Sequence, residues 1–227
     1  MRGLVYDCGP CPYLPGREFH AFHPEPNPPV DVPYRVLLDH RFRRSGTQLY
    51  MPMCPSCDAC QPIRVDVAAF APRRDQRRCA TRNGDLAVTW HDRGLDPERR
   101  TLFARYQRDV HHKAREEDDD PAGFLVADGG VPGGELHARD RDGRLLAVSV
   151  CDRIGDALSS VYCYYEPDLP HRALGTYMVL AEVAHARAEN LRWLYLGFLV
   201  RGCAKMEYKA RYLPNEVLID GTWVRHS

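Results

Sequence analysis

Lysine is nearly missing from this 227-residue chain: of its 31 basic residues, 28 are Arg and three are Lys, at Lys113, Lys205 and Lys209. Net charge is missing too, since 31 Asp and Glu balance them. That excludes a wholly basic, histone-like nucleic-acid binder and leaves room for a local basic face. No apolar run approaches the roughly 20 residues a membrane-spanning helix needs, and no internal repeat is visible. The stretch MRGLVYDCGPCPYLPGR has no apolar segment of signal-peptide length, so a cytoplasmic protein without a membrane partner is expected. What is present is an ordinary globular composition, 44% hydrophobic and 10% aromatic, long enough for one large domain or two small ones.

Cysteine is abundant by contrast. Five of the nine fall in two tight groups, Cys8/Cys11 and Cys54/Cys57/Cys60. In a reducing compartment such clusters point to metal or catalysis rather than disulfides. The C-x-x-C pairs 8/11 and 57/60 have the spacing of zinc and iron–sulfur ligands, and four thiolates suit either a tetrahedral zinc or a four-iron cluster. Cys54/Cys57 is an equally good pair on spacing alone. The scattered Cys79, Cys151, Cys163 and Cys203 are expected as small buried hydrophobes.

Texture divides the chain into a Cys- and Arg-rich part, 1–88, and a second part, 89–227. Residues 1–34 are Pro-rich and read as a loop or extended arm. Segment 35–82 carries ten Arg against four acids. A helix is expected from Asp96 to about Arg115, then a solvated acidic loop over Glu116–Asp120. Glu135–Ala138 and Leu145–Asp152 read as strands joined at Asp142-Gly143, and Leu158–Glu166 as a third. Residues 172–190 have helical periodicity. Arg192–Val200 is a nearly all-apolar strand of buried type. A short helix at about 203–212 and a hairpin near 216–225, turning at Asp220-Gly221, close the chain. This order is an α+β or α/β pattern.

Three segments carry candidate chemistry besides the cysteines. Arg43, Arg44, Arg74, Arg77 and Arg78 stand among Phe42, Tyr50 and Phe70. Guanidinium groups hold phosphate or carboxylate in bidentate fashion, and aromatics stack on unpaired bases; the alternative is a solvated charged face. In HRALGTYMVLAE (171–182), Gly175 and Thr176 open a helix where backbone N–H groups can hold an anion, although an ordinary strand-to-helix turn reads as well. In LYLGFLVRGCAKMEYKARYLP (194–214), polar residues directly follow a buried strand, where ligands bind in α/β sheets. Two of the three lysines lie there.

At these residues the chain resembles a known family. CPYLPGR (11–17), FRRSGTQLYMPMCPSCDACQPIRV (42–65), FAPRRDQRR (70–78), RNGDL (82–86), SSVYCYYEPDLPHRALGTYMVL (159–180) and LYLGFLVRGCAKMEYKARYLPNEVL (194–218) look like the bacterial aspartate/glutamate leucyltransferases, relatives of the eukaryotic arginyl-tRNA–protein transferases. The resemblance implies a GNAT-like (N-acetyltransferase-like) C-terminal domain, a mixed sheet flanked by helices, behind a smaller N-terminal domain. It implies transfer of Leu or Arg from aminoacyl-tRNA to the α-amine of proteins beginning with Asp or Glu, marking them for N-degron degradation, with no ATP or CoA. By the same resemblance an iron–sulfur cluster or zinc is expected on Cys8, Cys11, Cys57 and Cys60, with Cys57 chosen on spacing. Tyr195, Lys205, Glu207, Tyr208 and Lys209 are expected around the reaction centre. Arg74, Arg77 and Arg78 are expected on the acidic residue or the acceptor stem, and Arg172 with 173–176 at the CCA end. The segment 111–134 departs from the family pattern. An acyl-CoA-dependent acetyltransferase and a non-enzymatic metal-containing RNA-binding module are the rival readings.

Overall fold

The computed structural model describes residues 1–29, 32–111 and 121–227. Four strands form a small antiparallel sheet: β1 (Gly3–Pro10), β2 (Glu18–Pro24), β3 (Arg43–Ser45) and β4 (Gln48–Pro52), in the order β1-β2-β4-β3, with helix α1 (Tyr34–Asp39) between β2 and β3. The first 34 residues therefore hold a hairpin rather than a free arm. Pro10 and Pro24 end its strands, where a missing N–H costs little in the ladder.

Eight strands form the main sheet: β5 (Gln61–Asp66), β6 (Ala87–His91), β7 (Gly133–Arg139), β8 (Leu145–Ile154), β9 (Ala157–Tyr165), β10 (Trp193–Leu199), β11 (Asn215–Ile219) and β12 (Thr222–His226). Their order is β12-β11-β5-β10-β9-β8-β7-β6. The boundary expected at 88/89 falls inside β6, and β5, from the N-terminal part, lies between β11 and β10. Hydrophobic patterning explains this: Ile63 and Val65 of β5 are buried against Val179, Val183 and Leu194, so the strand has no stable place outside the large sheet. The expected closing hairpin is present, with positive φ at both Asp220 and Gly221, as a two-residue turn between twisted strands demands.

The remaining helices are α2 (Arg74–Arg82), α3 (Pro97–His111), α4 (Ala122–Leu125), α5 (Leu174–Ala188) and α6 (Ala204–Glu207). Asp96 caps α3, accepting the Arg99 N–H at 2.8 Å. Its expected extension to Arg115 and the acidic run Glu116–Asp120 lie outside the described residues. The helix expected at about 203–212 is one turn of α-helix, α6, followed by a 3₁₀ turn, Tyr208–Arg211.

β8 shows why the sheet is sandwiched. Val148 and Val150 pack with Leu102, Phe103 and Tyr106 of α3. Residues of the opposite parity, Ala147 and Cys151, join clusters with Met178, Val179 and Val183 of α5. Alternation places α3 and α5 on opposite faces.

The two sheets are tied by buried charge. Arg44 of β3 donates a fork of two hydrogen bonds, 2.7 and 2.6 Å, to Asp152 of β8. Arg93 adds a third at 2.5 Å. Burial pushes the Asp152 carboxyl above its ordinary pKa while the two guanidinium groups pull the other way. Asp152→Ala leaves the buried Arg44 guanidinium without its anion, while Arg93 keeps Asp128. It is expected to cost about 3–5 kcal/mol of stability, read from urea unfolding.

Candidate active site

Among the described residues, strands β9 and β10 are the one parallel pair in the main sheet, and they pair from Ala157–Ser159 to Trp193–Tyr195. Beyond that point they part. Each carries a bulge where it leaves: β9 has Val161 extra between Ser160 and Tyr162 relative to β8, and β10 has an extra residue between Tyr195 and Phe198 relative to β5. Gly197, at φ 74°, takes the left-handed backbone of that second bulge. A cleft of about 510 Å³ opens between the parted strands. That volume suits a small-molecule-sized group such as an aminoacyl-nucleoside end.

Seven of the twelve tyrosines line this cleft: Tyr13, Tyr34, Tyr50, Tyr106, Tyr162, Tyr165 and Tyr208. The wall is therefore aromatic, with hydroxyl tips, and suits stacking on a base or ribose. Val161–Cys163 come from β9, Leu196–Phe198 from β10, and Gly175 and Thr176 from the first turn of α5. Gly175 packs so closely that an added Cβ would lie 3.1 Å from the Tyr165 ring.

Lys209 enters from the turn after α6. Its Nζ donates to the Phe198 carbonyl at 2.9 Å and lies near Met206 Sδ. Burial, then the nearby charge of Arg43, lowers its pKa from 10.5 to about 7. Tyr208 is 40% exposed at the mouth, and burial of its hydroxyl pushes the phenol above its ordinary value. Beneath the cleft, Glu182 of α5 is fully enclosed. Its Oε1 accepts hydrogen bonds from Ser149 and, at 2.8 Å, from Ser160, while Oε2 has no partner. Burial raises its pKa. Ser160 also lines the cleft, so it links this carboxyl to the site.

Several expected site residues lie elsewhere. Tyr195 is fully buried on the α1 face of β10: its hydroxyl donates to Asp39 at 2.5 Å and receives Arg64 at 3.1 Å. Strand alternation sends it to the face opposite Leu194 and Leu196. Glu207 is exposed and outside the cleft lining. Lys205 is exposed at the rim. Arg172 forms a bidentate pair with Asp85, 2.9 Å on each arm, which staples the turn before α5 to the chain after α2. Arg44 borders the cleft but is held by Asp152. Arg43 lines it, as do Gly175 and Thr176.

Arg74, Arg77 and Arg78 are exposed on α2. The buried face of that helix docks on both turns bordering the cleft. Cys79 and Asn83 donate to the Arg172 carbonyl, and Gln76 donates to that of Arg211. Among the described residues Arg74 and Arg78 have no acidic partner, and Arg77 donates only to the Pro72 carbonyl. Helical geometry thus puts these arginines on the solvent side of α2, away from its buried Gln76 and Cys79.

The cysteine groups come near each other. Burial, then Cys54, Cys11 and Cys57, raises the Cys60 thiol to about 12. Cys8 is exposed on β1, and Cys54 exchanges hydrogen bonds with the backbone of His20. Among the described residues, no group of three or more His, Cys, Asp or Glu is arranged to hold a metal ion. Cys79, Cys151 and Cys203 are buried, as expected of scattered cysteines, whereas Cys163 is half-buried and lines the cleft. No helix of the described residues is long and apolar enough to cross a membrane.

An aromatic cleft at the carboxyl ends of two parallel strands, with a lysine of lowered pKa inside and exposed arginines on the helix docked against its bordering turns, suits a transferase with an anionic donor. Comparison with known proteins makes this specific. Residues 9–78 match the family model "Arginine-tRNA-protein transferase, N terminus", and residues 98–219 match its C-terminal counterpart. An aspartate/glutamate leucyltransferase from Teredinibacter turnerae is 39% identical over 222 residues, covering 95% of this chain and 90% of that protein. One from Pseudomonas entomophila is 40% identical, covering 94% and 92%. The chain belongs to the arginine-tRNA–protein transferase family. Among solved structures, L-PGS from Bacillus licheniformis is 12% identical with a TM-score of 0.48, covering 66% of this chain and 48% of that one. FemX is 11% identical with a TM-score of 0.44, covering 76% and 61%.

The tyrosine-rich wall was missed from sequence, although the run VYCYYE was its available signal. Tyr195→Phe is expected to lower stability by about 1 kcal/mol, the worth of a buried hydrogen bond, while leaving kcat intact. Thermal melts and a transfer assay check both.

Proposed function

We propose that this protein transfers leucine from charged tRNA to the α-amine of proteins that begin with Asp or Glu, marking them for N-degron degradation. The observation that carries this is the identity, 39–40% across 94–95% of the chain, to relatives named for that activity. The order β7-β8-β9-α5-β10, with one parallel pair, supports an N-acetyltransferase-like fold for the catalytic part.

The aminoacyl ester is already activated, so ATP has no task. The cleft holds the ester and the terminal nucleoside against its tyrosines, and α2 takes acceptor-stem phosphates on Arg74, Arg77 and Arg78. The acceptor amine nitrogen bonds to the ester carbonyl carbon, and the carbon–oxygen bond to the terminal ribose breaks. Lys209 takes the proton the amine loses. A group that is half neutral near pH 7 is matched to this, because an α-ammonium has an ordinary pKa of about 7.7–8.0. Tyr208, kept protonated by burial, supplies a proton to the departing ribose oxygen. Alignment of amine and ester supplies much of the remaining rate.

The decisive experiment offers Leu-tRNA or Arg-tRNA with peptides starting Asp, Glu or Ala and reads mass gain. Addition of leucine to the Asp and Glu peptides alone is expected. Gain with neither tRNA overturns the reading, and arginine addition changes the donor. Lys209→Met is expected to lower kcat by roughly 100-fold or more. In the native protein kcat rises as pH increases through about 7, because the neutral amine of Lys209 accumulates; the variant loses that limb. Replacing Arg77 and Arg78 with Ala is expected to lower the rate equally on every acceptor and to weaken tRNA binding, with a shallower salt dependence. Filter binding across a salt series measures this.

A further inference from the structure

Arg43 and Arg44 are consecutive on β3 and nearly equally buried, at 6% and 7% exposure. Their surroundings differ in one respect. Arg44 faces Asp152 in a closed fork. Arg43 meets only carbonyls: Nη1 donates to Phe42 at 2.6 Å and Leu38 at 3.2 Å, and Nη2 donates to Gly197 at 2.9 Å. Its Nε–H is buried without a partner. The nearby carboxylate, Asp39, is engaged by Arg35, Arg64 and Tyr195. Carbonyl dipoles orient a guanidinium but leave its charge uncompensated, and burial lowers its pKa.

The placement of this cation is specific. The Arg43 guanidinium lies 4.9 Å from the centre of the Phe198 ring, which fixes its plane. It borders the cleft together with Lys209. Arg43 is anchored on the carbonyl of Gly197 and Lys209 on that of Phe198, consecutive residues of the β10 bulge. Two cationic groups are thus held side by side. Among the described residues no carboxylate bonds to either one.

We propose that Arg43 reads the acceptor's first residue: its guanidinium, through the unpartnered Nε–H, donates to the side-chain carboxylate of an N-terminal Asp or Glu. This rests on the transferase function above and deepens it. An N-terminal Asp or Glu carries a carboxylate and an α-amine a few bonds apart. The two groups anchored on consecutive carbonyls, Arg43 and Lys209, match them in that order. A carboxylate on one or two methylenes reaches a buried N–H, whereas a polynucleotide phosphate meets the exposed arginines of α2 first. A neutral Asn or Gln side chain leaves the cation unpaired, so selection comes from the penalty on the wrong acceptor as well as the gain on the right one.

The test is Arg43→Gln, which keeps donors for the carbonyls and removes the charge. Steady-state transfer is measured with peptides starting Asp, Glu and Asn, beside the Kd for charged tRNA. Expected is a loss in kcat/KM on the acidic peptides roughly 10- to 100-fold larger than on the Asn peptide, carried mainly by KM; a smaller loss near pH 7, shared by all peptides, accompanies the rise in the Lys209 pKa once the Arg43 charge is gone, and the tRNA Kd is unmoved. Equal loss on all peptides overturns the proposal, and so does weakened tRNA binding, which would assign Arg43 to phosphate. If the native protein transfers to no acidic peptide, the transferase function itself falls instead. Should Arg43→Gln fail to fold, the Arg77→Ala, Arg78→Ala double variant decides: it keeps the native preference for Asp over Asn, and loss of that preference there places the reader on α2.

Discussion

Three residue pairs hold β9 to β10, and the site exists because the pairing stops there. Parallel neighbours normally continue side by side, satisfying each other's backbone groups. Here a bulge on each strand turns it out of register, and the chain fills the gap with side chains from four directions. α3 and α5 come from the two faces of the sheet, the turn after α6 from the end of β10, and β3 and β4 from the smaller sheet. The cleft therefore cuts through the sheet instead of lying on one face.

That geometry accounts for the N-terminal segment's behaviour. Its arginines are of two physical kinds. Arg43 and Arg44 are buried and bond from the smaller sheet to the larger, to Gly197 and Asp152, and Arg64 is buried within the larger sheet and bonds to Glu216 of the neighbouring strand. Arg64 is also sandwiched between the rings of Trp193 and Trp223, at 4.1 and 3.9 Å. Arg74, Arg77 and Arg78 are solvated. A planar, weakly hydrated guanidinium is suited to both duties, whereas an ammonium is not. Of the two lysines that line the cleft, Lys205 is exposed and Lys209 is enclosed, and the neighbouring Arg43 helps lower the pKa of Lys209.

The legible part of the fold is the part governed by local pattern. Periodicity placed β8, β9, α5 and β10 within a residue or two, because each buries a regular face. The N-terminal hairpin was hidden because β1 is exposed along most of its length and so lacks the alternation that marks a half-buried strand. β5 is short, and its partners β10 and β11 lie more than a hundred residues away. Of the residues lining the cleft, Lys209, Tyr208, Gly175 and Thr176 were singled out through the resemblance and the strand-to-helix turns, and Arg43 through the density of arginine around it. Tyr195 was misplaced because its neighbours in sequence point the other way from a strand. Glu182 reads as one more polar residue of a helix until Ser149 and Ser160 are seen beneath it.

By itself the sequence determined the α+β class, the family, and the aromatic and arginine supply. These depend on composition, spacing and short-range periodicity. Only the tertiary structure decided that adjacent arginines play opposite parts, that Tyr195 braces the sheet and that Arg172 is a staple. It also set the cysteines that surround Cys60. The reason is common to all of them: the charge state and role of a buried polar group depend on what faces it across the fold, and those partners are remote in the chain.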